Sequence, residues 1–224
     1  TVLDFDLSVT VYHPDMANAF SKEAARSKKP VRIHVKTDTG MGRVGALSDE
    51  VPDLFDRLTR ADFCVWEGLY SHFSTSDERD KTYSDLQQSR FQPLVSRARA
   101  LPNGPKMIHL ANSGGILDIP ESFFDAVRPG IMLYGHYPSS ETSESVDIRQ
   151  VMRLKTTVGH LRELPKGTPV SYGRRWTTPG PTKIAVLPIG YADGIPRSLT
   201  NKGEVLIRGT RYPMVGTVTM DQIM

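Results

Sequence analysis

Lys36 and Asp38, His72, His109 with Asn112 and Ser113, and Arg128 are ionisable or hydrogen-bonding groups that close four successive strand-like runs. In parallel β/α folds chemistry collects at the C-terminal ends of strands. Four ends delivering such groups therefore point to one shared rim. The string His109-Leu-Ala-Asn112-Ser113-Gly-Gly puts a hydroxyl and unpaired N–H groups at a helix start. Arg128-Pro-Gly130-Ile131 sets more backbone N–H groups beside a cation. Orphan N–H groups and a helix dipole favour an anion, so the two strings suit a phosphate. Each also has a plainer reading, with Ser113 an N-cap and Gly130 a turn.

The elements that would carry these groups alternate. Period-two patterns predict strands over 6–12, 31–36, 64–72 and 107–111, with a further strand end at 126–128. Helical spacing predicts helices over 14–28, 49–58, most of 76–100, and 113–117. Repeated β-α units imply a parallel sheet covered by helices. No Gly-rich dinucleotide turn follows the first strand, which disfavours an open doubly wound sheet. The expected fold class is α/β, with a partial (β/α)8 TIM-like barrel over 1–137. Residues 138–147 (P-S-S-E-T-S-E-S-V-D) are polar and aperiodic and read as a linker. From 148 to 224, short apolar runs separated by glycines and prolines predict an incomplete, mainly β domain. Strands are expected in 152–161, 183–190, 204–209 and 213–220.

Composition narrows the function classes. Hydrophobic residues make up 38% and charged residues 24% of 224, the balance of a globular protein of one or two domains. No apolar run approaches the roughly 20 residues of a spanning helix, so no membrane partner is expected. The single cysteine, Cys64, excludes a disulfide framework and a cysteine-cage metal site. No metal is expected, and a cytoplasmic location is. The net charge of +3 is uneven, with 1–140 at −2 and 141–224 at +5. No dense Lys/Arg run interleaves with aromatics, so nucleic acid is not an expected partner. The positive second half suits either a small anion or a solvated face.

Seven motifs occur in order: K-T-D-T-G-M-G-R (36–43), S-H-F (71–73), H-L-A-N-S (109–113), R-P-G-I-M-L-Y-G (128–135), V-S-Y-G (170–173), P-I-G-Y-A-D-G (188–194) and V-G-T-V-T-M-D-Q (215–222). Together they resemble the alanine racemase family, pyridoxal-phosphate enzymes with a β/α barrel and a C-terminal β domain. The resemblance covers essentially the whole chain. It implies interconversion of L- and D-alanine, supplying D-alanine for peptidoglycan, with one base on each face of the substrate carbon. One base in the family is the lysine that holds the cofactor. The other is a tyrosine from the opposite subunit, matched by Tyr172, with a histidine partner matched by His72.

Arg128 matches the arginine that faces the cofactor's ring nitrogen. An arginine keeps its proton, so that nitrogen would stay unprotonated and the ring would be a weaker electron sink. His109 matches the residue that orients this arginine. Ser113, Gly130 and Ile131 match phosphate contacts, and Asn112 lies in the same cofactor-binding string. Arg43 matches an arginine near the cofactor's phenolic oxygen and the substrate carboxylate. Lys36 matches a lysine often carbamylated in the family, which as an anion would pair with Arg43. Met220 and Asp221 match residues that meet the substrate from the other subunit, and Tyr191 a tyrosine at the entry-channel mouth. Each position also has a plainer packing or turn role. Gly114 and Thr219 depart from the pattern, where alanine and cysteine are more usual.

The family's cofactor lysine lies in an early V-K-A-N-A-Y-G-H-like string, and none of the ten lysines here has that context. The chain opens on Thr1 and closes on Met-Asp-Gln-Ile-Met. The resemblance places both ends inside a longer racemase-like protein. The expectation is a fragment that alone would not racemise alanine and whose half barrel would leave strand edges unpaired. A racemase for serine or a broader amino-acid set, and a non-catalytic piece that only binds, are the alternatives. A tyrosine serving the opposite site implies a homodimer with shared active sites.

Overall fold

Alternation builds the first sheet. In β1 (Ser8–Val11) and β2 (Val31–Asp38), Val11, Val31, Ile33 and Val35 fall on one face and are buried. Thr10, Arg32, His34 and Lys36 turn to the other face, as a period of two requires. β4 (Cys64–Tyr70) and β5 (Met107–His109) complete the order β1-β2-β4-β5, all parallel. β3 (Ala46–Leu47) pairs in parallel with the end of β2. In this computed structural model residues 2–224 are described, and the chain divides into two units, Thr1–Met152 and Arg153–Met224.

Three helices cover the apolar face of the first unit: α1 (Pro14–Ser27), α2 (Val51–Arg60) and α3 (Thr82–Ala100). Leu54, Phe55, Leu58, Phe91 and Leu94 from these helices meet Val35, Trp66, Leu69 and Ile108 of the sheet in one core. Phe55 and Trp66 lie with ring centroids 4.5 Å apart. The expected helix over 76–100 begins only at Thr82. There the Asp80 carboxylate accepts from the Thr82 backbone N–H at 2.9 Å and its hydroxyl at 2.6 Å, which fixes the start. A short α4 (Ser113–Asp118) follows β5. The strand end expected at 126–128 is one parallel bridge, Ala126 beside His109. Four parallel strands with helices on one side form an α/β, barrel-like unit.

Residues 138–147 lie within this first unit. Ser139 donates its hydroxyl to the Asp77 carbonyl, and Glu141 accepts from the Arg79 N–H at 2.8 Å. The Ser143 N–H donates to Asp118 at 3.0 Å, and Thr142 is buried.

The second unit is mainly β. β6 (His160–Leu164) pairs antiparallel with β9 (Thr182–Val186), β7 (Pro169–Val170) with β8 (Trp176–Thr177), and β10 (Glu204–Ile207) with β11 (Thr210–Pro213). The strand expected over 152–161 forms only from His160. Val151, Met152 and Leu154 are exposed, and 152–159 finds no ladder among the described residues. The run 213–220 is not a strand beyond Pro213. Met214, Val215 and Val218 instead pack as irregular core against Leu187, Ile223 and Ile184. Apolar periodicity reported burial there correctly, but the ladder it suggested has no partner. Among the described residues, no helix is long and apolar enough to cross a membrane.

Candidate functional site

The end of β2 delivers Lys36 and the loop after it. Asp38 accepts from the N–H groups of Gly40 and Met41 at 2.8 Å and of Arg43 at 3.1 Å. Burial raises its carboxyl pKa, but these backbone donors outweigh it and hold the group below the ordinary carboxylate value. The loop needs its glycines. Gly45 has φ +143°, and a Cβ there would sit 2.5 Å from the Asp38 nitrogen. Lys36 is buried, with its Nζ 5.6 Å from the Tyr70 ring centroid. Desolvation, with Arg43 and Arg128 nearby, holds its ammonium below the usual lysine pKa. Arg43 itself is exposed.

Arg128 is the hub. Its Nη2 donates to the carbonyls of Ser71 at 2.7 Å and Leu110 at 3.0 Å, and to His72 Nδ1 at 3.3 Å. Its Nη1 meets His109 Nδ1. Among the described residues no protein acceptor meets its Nε–H. The guanidinium lies 5.3 Å from the Tyr70 ring centroid, and Tyr70 stacks on His109 at 4.7 Å. Burial, together with Arg128, pushes His72 down to about 4 and His109 to about 3. Both imidazoles are therefore neutral near pH 7, able to accept from the arginine.

His72 is placed by Gln87 of α3, which is fully buried. Its Nε2 donates to the His72 carbonyl at 2.9 Å, and its Oε1 accepts from the Ser74 N–H at 2.9 Å.

Asn112 caps α4, accepting from the Gly115 N–H at 3.1 Å and the Ser76 hydroxyl at 2.6 Å. The buried Ser113 hydroxyl accepts from the Gly130 N–H at 2.8 Å. That bond joins the two strings expected to hold a phosphate. Ile131 is exposed beside them. Gly114 has a local reason: a Cβ would come within 2.7 Å of the Ser76 carbonyl.

Tyr172, Tyr191, Met220 and Asp221 belong to the second unit. Tyr172 sits in a 3-10 turn (Tyr172–Arg174) and is 75% exposed. Its carbonyl accepts from the Thr217 hydroxyl at 2.7 Å, and the neighbouring Ser171 hydroxyl donates to the Thr217 carbonyl at 2.8 Å. The N–H groups of Tyr191 and Ala192 donate to the carbonyls of Thr219 and Met220, both at 2.9 Å. Segment 217–220 thus gathers the loops that carry Tyr172, Tyr191, Met220 and Asp221. Arg197 lies 5.7 Å from the Tyr191 ring centroid.

Sequence reasoning missed Tyr70, Gln87, His34 and Glu67. A signal existed for His34, which alternates with Arg32 and Lys36 on the polar side of β2. No local signal existed for Gln87, whose partners are brought to it by the fold.

The molecule is thus a parallel β/α unit with an arginine-centred polar rim, joined to a mainly β unit that carries exposed tyrosines. Known proteins share this fold. Residues 1–138 match the family model "Alanine racemase, N-terminal domain", and 151–224 match "Alanine racemase, C-terminal domain". Alanine racemase 2 of Caldanaerobacter subterraneus subsp. tengcongensis is 42% identical over 220 residues, which is 98% of this chain and 57% of that protein. The solved alanine racemase of Clostridium difficile 630 superposes with TM-score 0.90 at 33% identity, covering 99% of this chain and 58% of that one. The alanine racemase of Bartonella henselae, solved with covalently bound pyridoxal phosphate, gives TM-score 0.81 at 27% identity over 99% and 60% of the two chains. The chain belongs to the alanine racemase family. It spans less than two thirds of the length of these relatives.

Proposed function

We propose that the protein carrying this chain is a pyridoxal-phosphate-dependent alanine racemase, active as a homodimer. The observation that carries this reading is Arg128: a fixed cation with an unclaimed Nε–H, flanked by two neutral imidazoles. Such a donor suits a pyridine nitrogen, and although the Gly130 N–H is spent on the Ser113 oxygen, the Ser113 hydroxyl hydrogen and the N–H of exposed Ile131 suit a phosphate. When bound, pyridoxal phosphate draws electrons from the substrate carbon and so acidifies its proton.

Arg128 would hold the ring nitrogen and, keeping its own proton, leave that nitrogen unprotonated. His109 and Asn112 orient the cofactor-binding strings. Tyr172 moves the proton on one face of the substrate carbon. A phenol with an ordinary pKa near 10 needs nearby positive charge or a hydrogen bond for this, which the His72–Arg128 pair of the opposite subunit would supply. Arg43 receives the substrate carboxylate, Met220 and Asp221 line the substrate pocket, and Tyr191 stands at its entrance.

The depressed basicity of Lys36 makes its neutral amine available to carbon dioxide. An N–C bond forms and a proton leaves, giving a carbamate that pairs with Arg43. D-alanine supply for peptidoglycan and a cytoplasmic location are the matching cellular reading, with which the lone free cysteine agrees.

The test is complementation in the complete protein. Tyr172→Phe and Arg128→Ala variants, each with little activity alone, are mixed, unfolded and refolded together. D-alanine formation from L-alanine is expected to reappear in heterodimers, which then hold one intact site. No recovery, with dimers present, overturns the shared-site reading. No D-alanine from the unaltered protein overturns the racemase reading itself.

A further inference from the structure

Beneath Arg128 a line of hydrogen bonds runs across the polar face of the sheet. His109 Nε2 meets His34 Nδ1 at 3.2 Å, and His34 Nε2 meets Glu67 Oε2 at 3.2 Å. Glu67 is fixed in turn: the Ser8 hydroxyl donates to its Oε2 at 2.7 Å, and Arg32 Nε donates to that hydroxyl at 3.0 Å. We propose that Glu67 is a positioning residue that sets the tautomers of His34 and His109, and through them holds Arg128 in place for the ring nitrogen. The inference rests on the cofactor reading above only for its last step.

The direction follows from counting donors. A neutral imidazole has one N–H and one bare nitrogen. The carboxylate accepts only, so His34 carries its proton on Nε2 and leaves Nδ1 bare. His109 must then donate through Nε2, which leaves its Nδ1 bare to accept from Arg128. The opposite order fails twice: a bare nitrogen would face the Glu67 carboxylate, and an N–H would face the guanidinium. His109 is held well below the ordinary histidine pKa, chiefly by burial, so it has one proton to place. The Ser8 hydrogen bond, helped by His34, keeps Glu67 more acidic than usual, and so it stays an acceptor.

The fold invests in this line. Pairing of β2 with β4 slips between Ile33 and His34, so that Ile33 opposes Trp66 while His34 opposes Gly68. Glu67 is the extra residue. Trp66 and Leu69 both reach the helix-covered core, three positions apart, and the bulge between them leaves both Glu67 and Gly68 on the polar face beside His34. The Trp66 indole N–H donates to the Gly68 carbonyl at 2.9 Å and pins the bulge. Gly68 also makes room, since a Cβ there would overlap the His34 imidazole.

The experiment is nitrogen-15 NMR of the histidine rings in the complete protein, where tautomers are read directly. The expected result is Nε2–H with bare Nδ1 for both His34 and His109. In Glu67→Leu only the Arg128 end still biases the line, so His34 is expected to populate both tautomers and pyridoxal phosphate to bind about ten-fold more weakly. Glu67→Gln, which keeps a carbonyl acceptor, is expected to restore the single tautomer. Should Glu67→Leu not fold, Gly68→Ala asks the same question, because its methyl displaces the His34 ring. A protonated Nδ1 on His109 in the unaltered protein overturns the proposal, as does a single unchanged tautomer in Glu67→Leu or Gly68→Ala. A protein with the expected tautomers that forms no D-alanine would sink the racemase reading and leave the relay standing.

Discussion

The two units treat their chemistry in opposite ways. In the first, Lys36, His72, His109 and Arg128 stand at strand ends above one large core, with Arg128, His72 and His109 tied together by hydrogen bonds. Water is largely removed from them, which is why the two imidazoles lose their affinity for protons. In the second, Tyr172, Tyr191 and Met220 are exposed on loops over two small cores. There the backbone is fixed by Thr217 and Thr219 while the side chains project outward. Groups whose reactivity depends on a tuned environment are buried by their own chain. The exposed groups of the second unit are held chiefly by their main chain.

This contrast can be broken in several ways. The largest effect is expected at Phe55, fully buried against Trp66. Phe55→Ala should cost about 3–5 kcal/mol in urea unfolding. A loss under 1 kcal/mol would mean the first unit does not depend on this core. In the complete protein the proposed racemase reading predicts that Arg128→Ala lowers kcat for D-alanine formation about 10²–10³-fold, as removal of an oriented donor does. The substitution should also raise the His72 and His109 pKa values, because a cation beside each is gone.

Acid comes next. Both imidazoles have folded-state pKa values below the unfolded value of about 6.5, so between pH 6.5 and 3 the unfolded chain binds more protons. Stability is full above pH 6.5 and falls as pH drops, by up to about 1.4 kcal/mol per pH unit for each imidazole until its folded-state pKa, about 4 for His72 and about 3 for His109, is passed. Hydrogen exchange from pH 7 to 5 should show first-unit amides losing protection; protection that rises towards pH 5 would contradict the sign. The smallest effect is expected at Tyr172→Phe, where exposure predicts a stability change within about 0.5 kcal/mol. Activity should nonetheless collapse. A large stability loss would show that the ring packs within its own unit.

How far the sequence could be read depended on the length of chain each feature needs. β1, β2, α1, α2 and α4 were legible because period, proline and caps are local, and their bounds differ from expectation by a few residues. The rim was legible too, since Lys36, His72, His109 and Arg128 each end a run. Glu67 was not, because the bulge opposite Ile33 and His34, which brings it beside His34 on the polar face, leaves no local trace in the sequence. The strand expected over 213–220 failed for a related reason: an apolar run reports burial, whereas a ladder also needs a partner.

The sequence by itself determined the order of elements, the apolar face of each, the glycines that let the 36–45 loop turn, and the family. The tertiary structure alone decided which groups meet. His34 and His109 are 75 residues apart, and Arg128 and Ser71 are 57 apart. Such pairs form only when parallel strands pay the entropy of a long loop through a helix and return in register. No local pattern encodes that return, so the pairing and the shifted pKa values appear only once the sheet has formed.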